Sequence, residues 1–243
     1  MEIRIAENRY ALGQSAAKHV AQVLREVIAE KGKARMVLST GASQFDTLEA
    51  LTKEDVQWDK VEMFHLDEYV GLPETHPASF RKYLKERFVE KVAPLAGVYF
   101  VDGTVEGIAG LTQQLRREPI DIGLIGIGEN GHIAFNDPPA DFDTMYAYIV
   151  VNLDDDCKKQ QMGEGWFATI DDVPRQAISM TPYQIMQCRR IVSCVPYAVK
   201  ASAVEKTLKA KEVTNLVPAT LLKTHPDFIL YLDMESAAKI LAD

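Results

Sequence analysis

Apolar residues recur along the chain with two different periods. Ala16, Val20, Val23, Leu24, Val27 and Ile28 fall three and four apart with charges between them, which predicts a helix over residues 12–31 that ends at Gly32. A short extended segment precedes it. The apolar run at 35–38 is too short for a helix and predicts a strand, followed by a loop of small residues at 39–43 and a helical pattern over 44–52. The unit then repeats. A buried strand at 61–66 runs into Asp67, Glu68 and Tyr69, and a helix follows over 79–89, with Pro73 and Pro77 marking the loop between. A third core strand at 120–125 enters a glycine loop, and a fourth at 190–195 precedes a helix over 197–208. The run at 228–232 is the last predicted strand.

Strands alternating with helices at these intervals predict an α/β fold: a single-domain, Rossmann-like open sheet across residues 1–243, mostly parallel, with helices on both faces. Residues 140–172 have no firm period and read either as a lid or as an irregular surface excursion.

Composition adds limits to this picture. With 47% hydrophobic and 26% charged residues the chain has the balance of an ordinary globular domain. The net charge of −8 weighs against nucleic acid or an anionic membrane surface as a partner. An anionic small molecule would then need a local site, made of backbone N–H groups at a helix start and one or two cations. Cys157, Cys188 and Cys194 are odd in number and show no paired spacing, so neither a disulfide framework nor a thiolate zinc site is expected. The first residues alternate charged and apolar and lack the apolar run of a signal peptide, and no stretch approaches the ~20 apolar residues of a membrane span. A cytoplasmic protein is the expectation.

In an open α/β sheet ligands bind beyond the carboxyl ends of the strands, which directs attention to three loops. Ser39, Thr40, Gly41, Ala42 and Ser43 let a backbone approach a ligand closely at a helix start, although Ser and Thr also cap helices for structural reasons. Asp67 and Glu68 are adjacent acids at a strand end, suited either to a cap or turn or to a partly buried base. The third loop, 126–139, contains a formal Gly-x-Gly-x-x-Gly at Gly126, Gly128 and Gly131. A dinucleotide reading needs a long helix opening at Gly131, and Pro138 and Pro139 would interrupt it. The glycines instead predict a tight loop that gathers Glu129, Asn130, His132 and Asp137 towards one pocket, where an imidazole with an acid beside it can shuttle a proton near neutral pH. His19, His65, His76 and His225 lack such a setting. No His-x-x-x-His pair supports a metal, and neither a metal nor a cofactor is expected.

Together the loops resemble the glucosamine-6-phosphate deaminase (isomerase) family, which shares a fold with 6-phosphogluconolactonases. The resemblance is carried by Leu66 to Leu72 with His76 and Pro77, by Gly128 to Pro138, and more weakly by residues 39–43 and by Pro196 to Ala201. It implies that Asp67 is the base moving a proton between C2 and C1 of an opened amino sugar. It implies that His132 opens the ring with Asn130, Asp137 and Glu129 around it. Ser39, Thr40, Gly41, Ala42, Ser43, Glu68, Gly131 and Lys200 would bind substrate or its phosphate. The implied partner is a small-molecule sugar phosphate, for a monomer or a homo-oligomer.

Three departures from the family pattern stand out. Asn130 occupies a position where the family has Asp, and Asp137 one where it has Glu. Residues 163–167 carry no arginine where the family has a phosphate-binding one, and Lys158 or Lys159 would serve only as point charges. Ala147 and Ile149 stand where some members carry basic effector-binding residues, so comparable activation is not expected. Isomerisation with deamination of a hexosamine 6-phosphate is the leading expectation. The alternatives are hydrolysis of a sugar-phosphate lactone, and a sugar-phosphate-binding protein whose catalysis is impaired at Asn130 and Asp137.

Overall fold

The computed structural model describes residues 1–153, 155–163 and 165–242. Strand β1 (Glu2–Ala6) leads into helix α1 (Arg9–Lys31), followed by β2 (Ala34–Leu38), α2 (Phe45–Leu51), β3 (Val61–His65) and β4 (Asp67–Tyr69). Next come α3 (Phe80–Leu84), a π turn at Lys85–Val89 and α4 (Glu90–Val92), then β5 (Gly97–Tyr99), α5 (Gly107–Arg116) and β6 (Ile122–Leu124). The remainder is β7 (Tyr148–Asn152), α6 (Asp155–Gly163), β8 (Gln176–Met180), α7 (Pro182–Ile185), β9 (Arg190–Val195), α8 (Ala201–Lys209), β10 (Phe228–Asp233) and α9 (Ala238–Leu241).

Seven strands form one parallel sheet in the order β1-β10-β9-β6-β2-β3-β5. β2, β3 and β10 are buried at every position, as a strand covered on both faces must be. Successive side chains alternate between two cores. Met36, Leu38, Val61, Met63 and Tyr231 face α1, α2 and α3, whereas Val37, Phe64, Leu66, Leu230 and Leu232 face the layer that contains Leu115, Val204 and Leu222. This is the mostly parallel α/β sheet that the sequence predicts.

The ends of elements shift for local reasons. α1 begins three residues before the expected start because the Asn8 side chain accepts from the backbone N–H groups of Tyr10 and Ala11. It stops at Gly32, whose φ of 77° is the left-handed stop anticipated from sequence. The helix expected at 79–89 is an α-turn continued by a π turn, and the one expected at 197–208 opens with a 3-10 turn at Ala198–Lys200.

A three-stranded antiparallel sheet, β4-β8-β7, has no counterpart in the sequence reading. β4 follows β3 after the single residue Leu66, so its three residues look like a loop, while β7 lies inside the unperiodic stretch 140–172. That stretch also contains α6. Asp154 and Glu164, within the expected lid, lie outside the described residues.

Candidate functional site

The parallel sheet changes direction at β2 and β6: the chain runs outward through β3 and β5 on one side and through β9 and β10 on the other. Loops leaving the carboxyl ends of neighbouring strands diverge there and leave a crevice. A cavity of about 150 Å³ occupies it, lined by residues 39–43 after β2, Leu66 and Asp67 after β3, the glycine loop after β6, and Tyr197, Val199 and Lys200 after β9. Loops after four strands supply these groups, and the parallel topology brings them together.

Asp67 and Glu68 are neighbours on β4, and successive strand residues point to opposite sides. Asp67 faces the cavity and is 6% exposed. Burial raises its pKa to about 8, and the negative charge of Glu68 beside it pushes the same way. Glu68 is not in the cavity lining, and its contacts lie elsewhere. Its fully buried carboxylate accepts from the Ser79 hydroxyl at 2.8 Å, from the backbone N–H groups of Tyr69, Phe80 and Arg81, and from Arg81 Nε at 3.2 Å. Glu68 thus caps the start of α3 and ties it to β4.

The glycine loop folds tightly, and no helix opens at Gly131. A Cβ on Gly128 would overlap the His132 imidazole, so only glycine lets the ring lie there. Gly131 has φ +89°, its carbonyl accepts from Ala219 N–H, and its neighbour is Val217. It is therefore a turn residue, absent from the cavity lining.

His132 lines the cavity, with Asp137 behind it. His132 Nδ1 stands 3.0 Å from Asp137 Oδ1, off the line that a good hydrogen bond needs. Asn130 does not reach the ring. Its carbonyl oxygen accepts from the His132 backbone N–H at 2.9 Å, and its amide donates to Asp137 Oδ1 at 3.0 Å. Burial works to raise the Asp137 pKa, but the His132 imidazole, the Asn130 amide and the Cys157 thiol outweigh it and hold the pKa below the ordinary value. Glu129 lines the cavity but is exposed.

The phosphate-loop candidates Ser39, Thr40, Gly41, Ala42 and Ser43 all line the cavity, with Gly41 in the left-handed region at φ +98°. Lys200, 7% exposed, lies across from them on the turn after β9. Tyr197, which the sequence reading did not single out, joins the two: its hydroxyl accepts from Arg9 Nη1 at 3.1 Å and donates to the Ala42 carbonyl at 3.3 Å. Its φ of +80° is costly for a tyrosine, and its backbone N–H is held by Asp233 Oδ2 at 3.1 Å. Phe80 and Gln161 also line the cavity unforeseen. An aromatic in a helical pattern reads as core, and Gln161 lies in the stretch without a period.

The comparisons with known proteins agree with this geometry. The profile described as glucosamine-6-phosphate isomerases/6-phosphogluconolactonase matches residues 7–230. A glucosamine-6-phosphate deaminase of Oenococcus oeni is 32% identical over 242 residues, 98% of each chain. One of Staphylococcus epidermidis is 36% identical over 233 residues, covering 91% of this chain and 94% of that one. Among solved structures, a monomeric glucosamine-6-phosphate deaminase superposes with a TM-score of 0.88 at 27% identity, over 98% of this chain and all of that one. The 6-phosphogluconolactonase of Thermotoga maritima shares the fold, with a TM-score of 0.79 at 15% identity over 96% of this chain and 99% of that one. The chain belongs to the glucosamine-6-phosphate isomerase/6-phosphogluconolactonase family.

Proposed function

We propose that this member of the family is a glucosamine-6-phosphate deaminase, converting the aldose amine to fructose 6-phosphate and ammonia. The observation that carries the reading is the Asp67 carboxyl, buried in the cavity wall with its pKa raised to about 8, in a cavity that also holds His132 and an anion-binding loop. A group that takes a proton from carbon and returns it to the neighbouring carbon must exist in both protonation states near the working pH.

The phosphate is received by the backbone and hydroxyls of residues 39–43 with Lys200, which supplies positive charge that the acidic total does not. His132 carries the proton that leaves O1 over to O5 as the C1–O5 bond breaks, and Asp137 behind it stabilises the imidazolium. The substrate ammonium gives one proton to O1 as Asp67 removes the C2 proton, giving an enolamine; Asp67 returns its proton at C1, leaving a hydroxyl on C1 and a protonated imine at C2. Water adds to that carbon, ammonia departs, and the ketose phosphate remains. Asn130 serves by keeping Asp137 in place, a task for which an amide suffices. Helix α6, which brings Gln161 to the cavity wall, acts as a cover that excludes bulk water during these transfers.

The test is an ammonia-release assay across glucosamine, galactosamine and mannosamine 6-phosphates, run beside a lactone-opening assay with 6-phosphogluconolactone. Ammonia and ketose phosphate in equal amounts from glucosamine 6-phosphate are expected. Lactone opening without ammonia would replace this reading with the hydrolase.

A further inference from the structure

Among the described residues of helix α6, Gln161 lines the cavity, and it is 5% exposed. Its Oε1 accepts from the Tyr69 hydroxyl at 2.7 Å. Among the described residues its Nε2 has no hydrogen-bond partner. Tyr69 is fully buried, with ring centroids 5.2 Å from Phe80, 5.2 Å from Phe135 and 5.4 Å from Phe167, so the hydroxyl that orients the amide is itself rigidly held. With the carbonyl side of the amide occupied, the two N–H groups are what Gln161 offers. An amide donor that faces the cavity and has no protein acceptor is available to a ligand oxygen there.

The position along the cavity follows from the strand. Asp67 and Tyr69 are two residues apart on β4 and project from the same side. Phe80 and Phe135, which stack at 5.6 Å, complete the wall they share. Gln161 is therefore held at the Asp67 end, whereas residues 39–43, Tyr197 and Lys200 form the anion end.

We infer that Gln161 is a substrate-contacting, specificity-determining residue whose Nε2 donates to a hydroxyl oxygen of the sugar chain, with Tyr69 as its positioning residue. This rests on reading the cavity as a sugar-phosphate site. A neutral donor suits that end, because it recognises a hydroxyl without competing with Asp67 for the substrate ammonium or drawing the phosphate away from its loop.

The experiment compares Gln161→Leu, Gln161→Glu and Tyr69→Phe with the wild type, measuring KM, kcat and the calorimetric Kd for glucosamine 6-phosphate, and inhibition by inorganic phosphate. Gln161→Leu and Gln161→Glu are expected to raise KM and Kd about tenfold or more, the scale of one lost hydrogen bond to a buried donor, with kcat within about threefold. Tyr69→Phe, which frees the amide to rotate, raises them by about threefold. Inhibition of Gln161→Leu by inorganic phosphate stays at the wild-type level.

Wild-type KM and Kd in folded Gln161→Leu would overturn the inference. So would an equal loss of phosphate inhibition, which would move Gln161 to the anion end. If Gln161→Leu does not fold, Gln161→Glu, which keeps the acceptor for Tyr69, decides in the same way. A wild type that binds glucosamine 6-phosphate without releasing ammonia sinks the proposed reaction alone, because the Kd comparison still decides Gln161. A wild type that binds no hexosamine phosphate sinks both.

Discussion

Asp67 in the cavity wall and Asp137 behind the His132 ring are the same residue type, and their surroundings drive them in opposite directions. Asp67 is buried beside another carboxylate, and its pKa rises to about 8. Asp137 is also buried, yet His132, Asn130 and Cys157 hold its pKa below the ordinary value. In the proposed reaction the difference separates two tasks. The acid that must gain and lose a proton is kept from partners that would fix its charge. The acid that must remain charged beside an imidazole is surrounded by donors. Burial alone does not assign a role, since both carboxylates have it.

The largest break in that comparison is Asp67→Asn. Removing the base is expected to lower kcat by about 10³-fold or more, on the scale of general-base catalysis, in the ammonia assay. The same change should stabilise the protein. The folded-state pKa of Asp67 lies above its unfolded value of 3.8, so the folded state binds the proton more tightly between roughly pH 4 and 8. Stability therefore falls as pH rises through that window, and an uncharged Asn escapes the loss. The Tm of Asp67→Asn should exceed that of the wild type at pH 8 by several degrees, at about 2–4 °C per kcal/mol for a chain of this size, and the gap should close below pH 4. Equal Tm values at pH 8 would show that Asp67 is not held as a strained acid.

Asp137→Asn comes next. It leaves the imidazolium without its counter-charge, and a loss of about 10²-fold in kcat/KM is expected. Because Asp137 carries a depressed pKa, the stability it contributes is present above its unfolded value and is lost as pH falls through the lower folded one. Asp137→Asn should accordingly be less stable than the wild type at neutral pH, the reverse of Asp67→Asn. Two isosteric changes with opposite signs in one thermal-shift titration would sharpen the comparison, and equal signs would dissolve it. In the wild type, kcat/KM should rise with pH along an acid limb set by Asp67, with an apparent pKa near 8. A limb near 4 would mean that an ordinary, solvated carboxylate is the base.

Much of this was legible in the sequence, and the division has a physical cause. Strands buried on both faces, such as β2, β3 and β10, print as apolar runs. Segments 39–43 and 126–139 stand out because tight turns and close approach demand small residues. Glu68 was read beside Asp67 as a site residue because adjacency is visible and the alternation of a three-residue strand is not. The opposite-facing helix cap appears only once β4 pairs with β8. Tyr197 and Gln161 were hidden for a different reason. Their places depend on contacts with Arg9, Ala42 and Tyr69, 92 to 188 residues away in the chain.

The smallest expected effect is at Cys157, which α6 brings against Asp137. A thiol is a weak donor, so Cys157→Ala should cost less than about threefold in kcat/KM and leave the acid limb at Asp67 unmoved. The stability of the variant should fall slightly at neutral pH and match the wild type once Asp137 is protonated, since the donor helps only the charged form. Asn130→Asp is its counterpart: the amide that donates to Asp137 Oδ1 becomes a second carboxylate beside it. Two like charges cannot both ionise cheaply at that distance, so one must take a proton, and the depressed pKa of Asp137 should move upward. If Asn130→Asp leaves in place the pH at which the stability contribution of Asp137 is lost while Cys157→Ala moves it, then α6 rather than the glycine loop sets the charge behind His132. The contrast between the two aspartates would then originate in the segment that the sequence left unread.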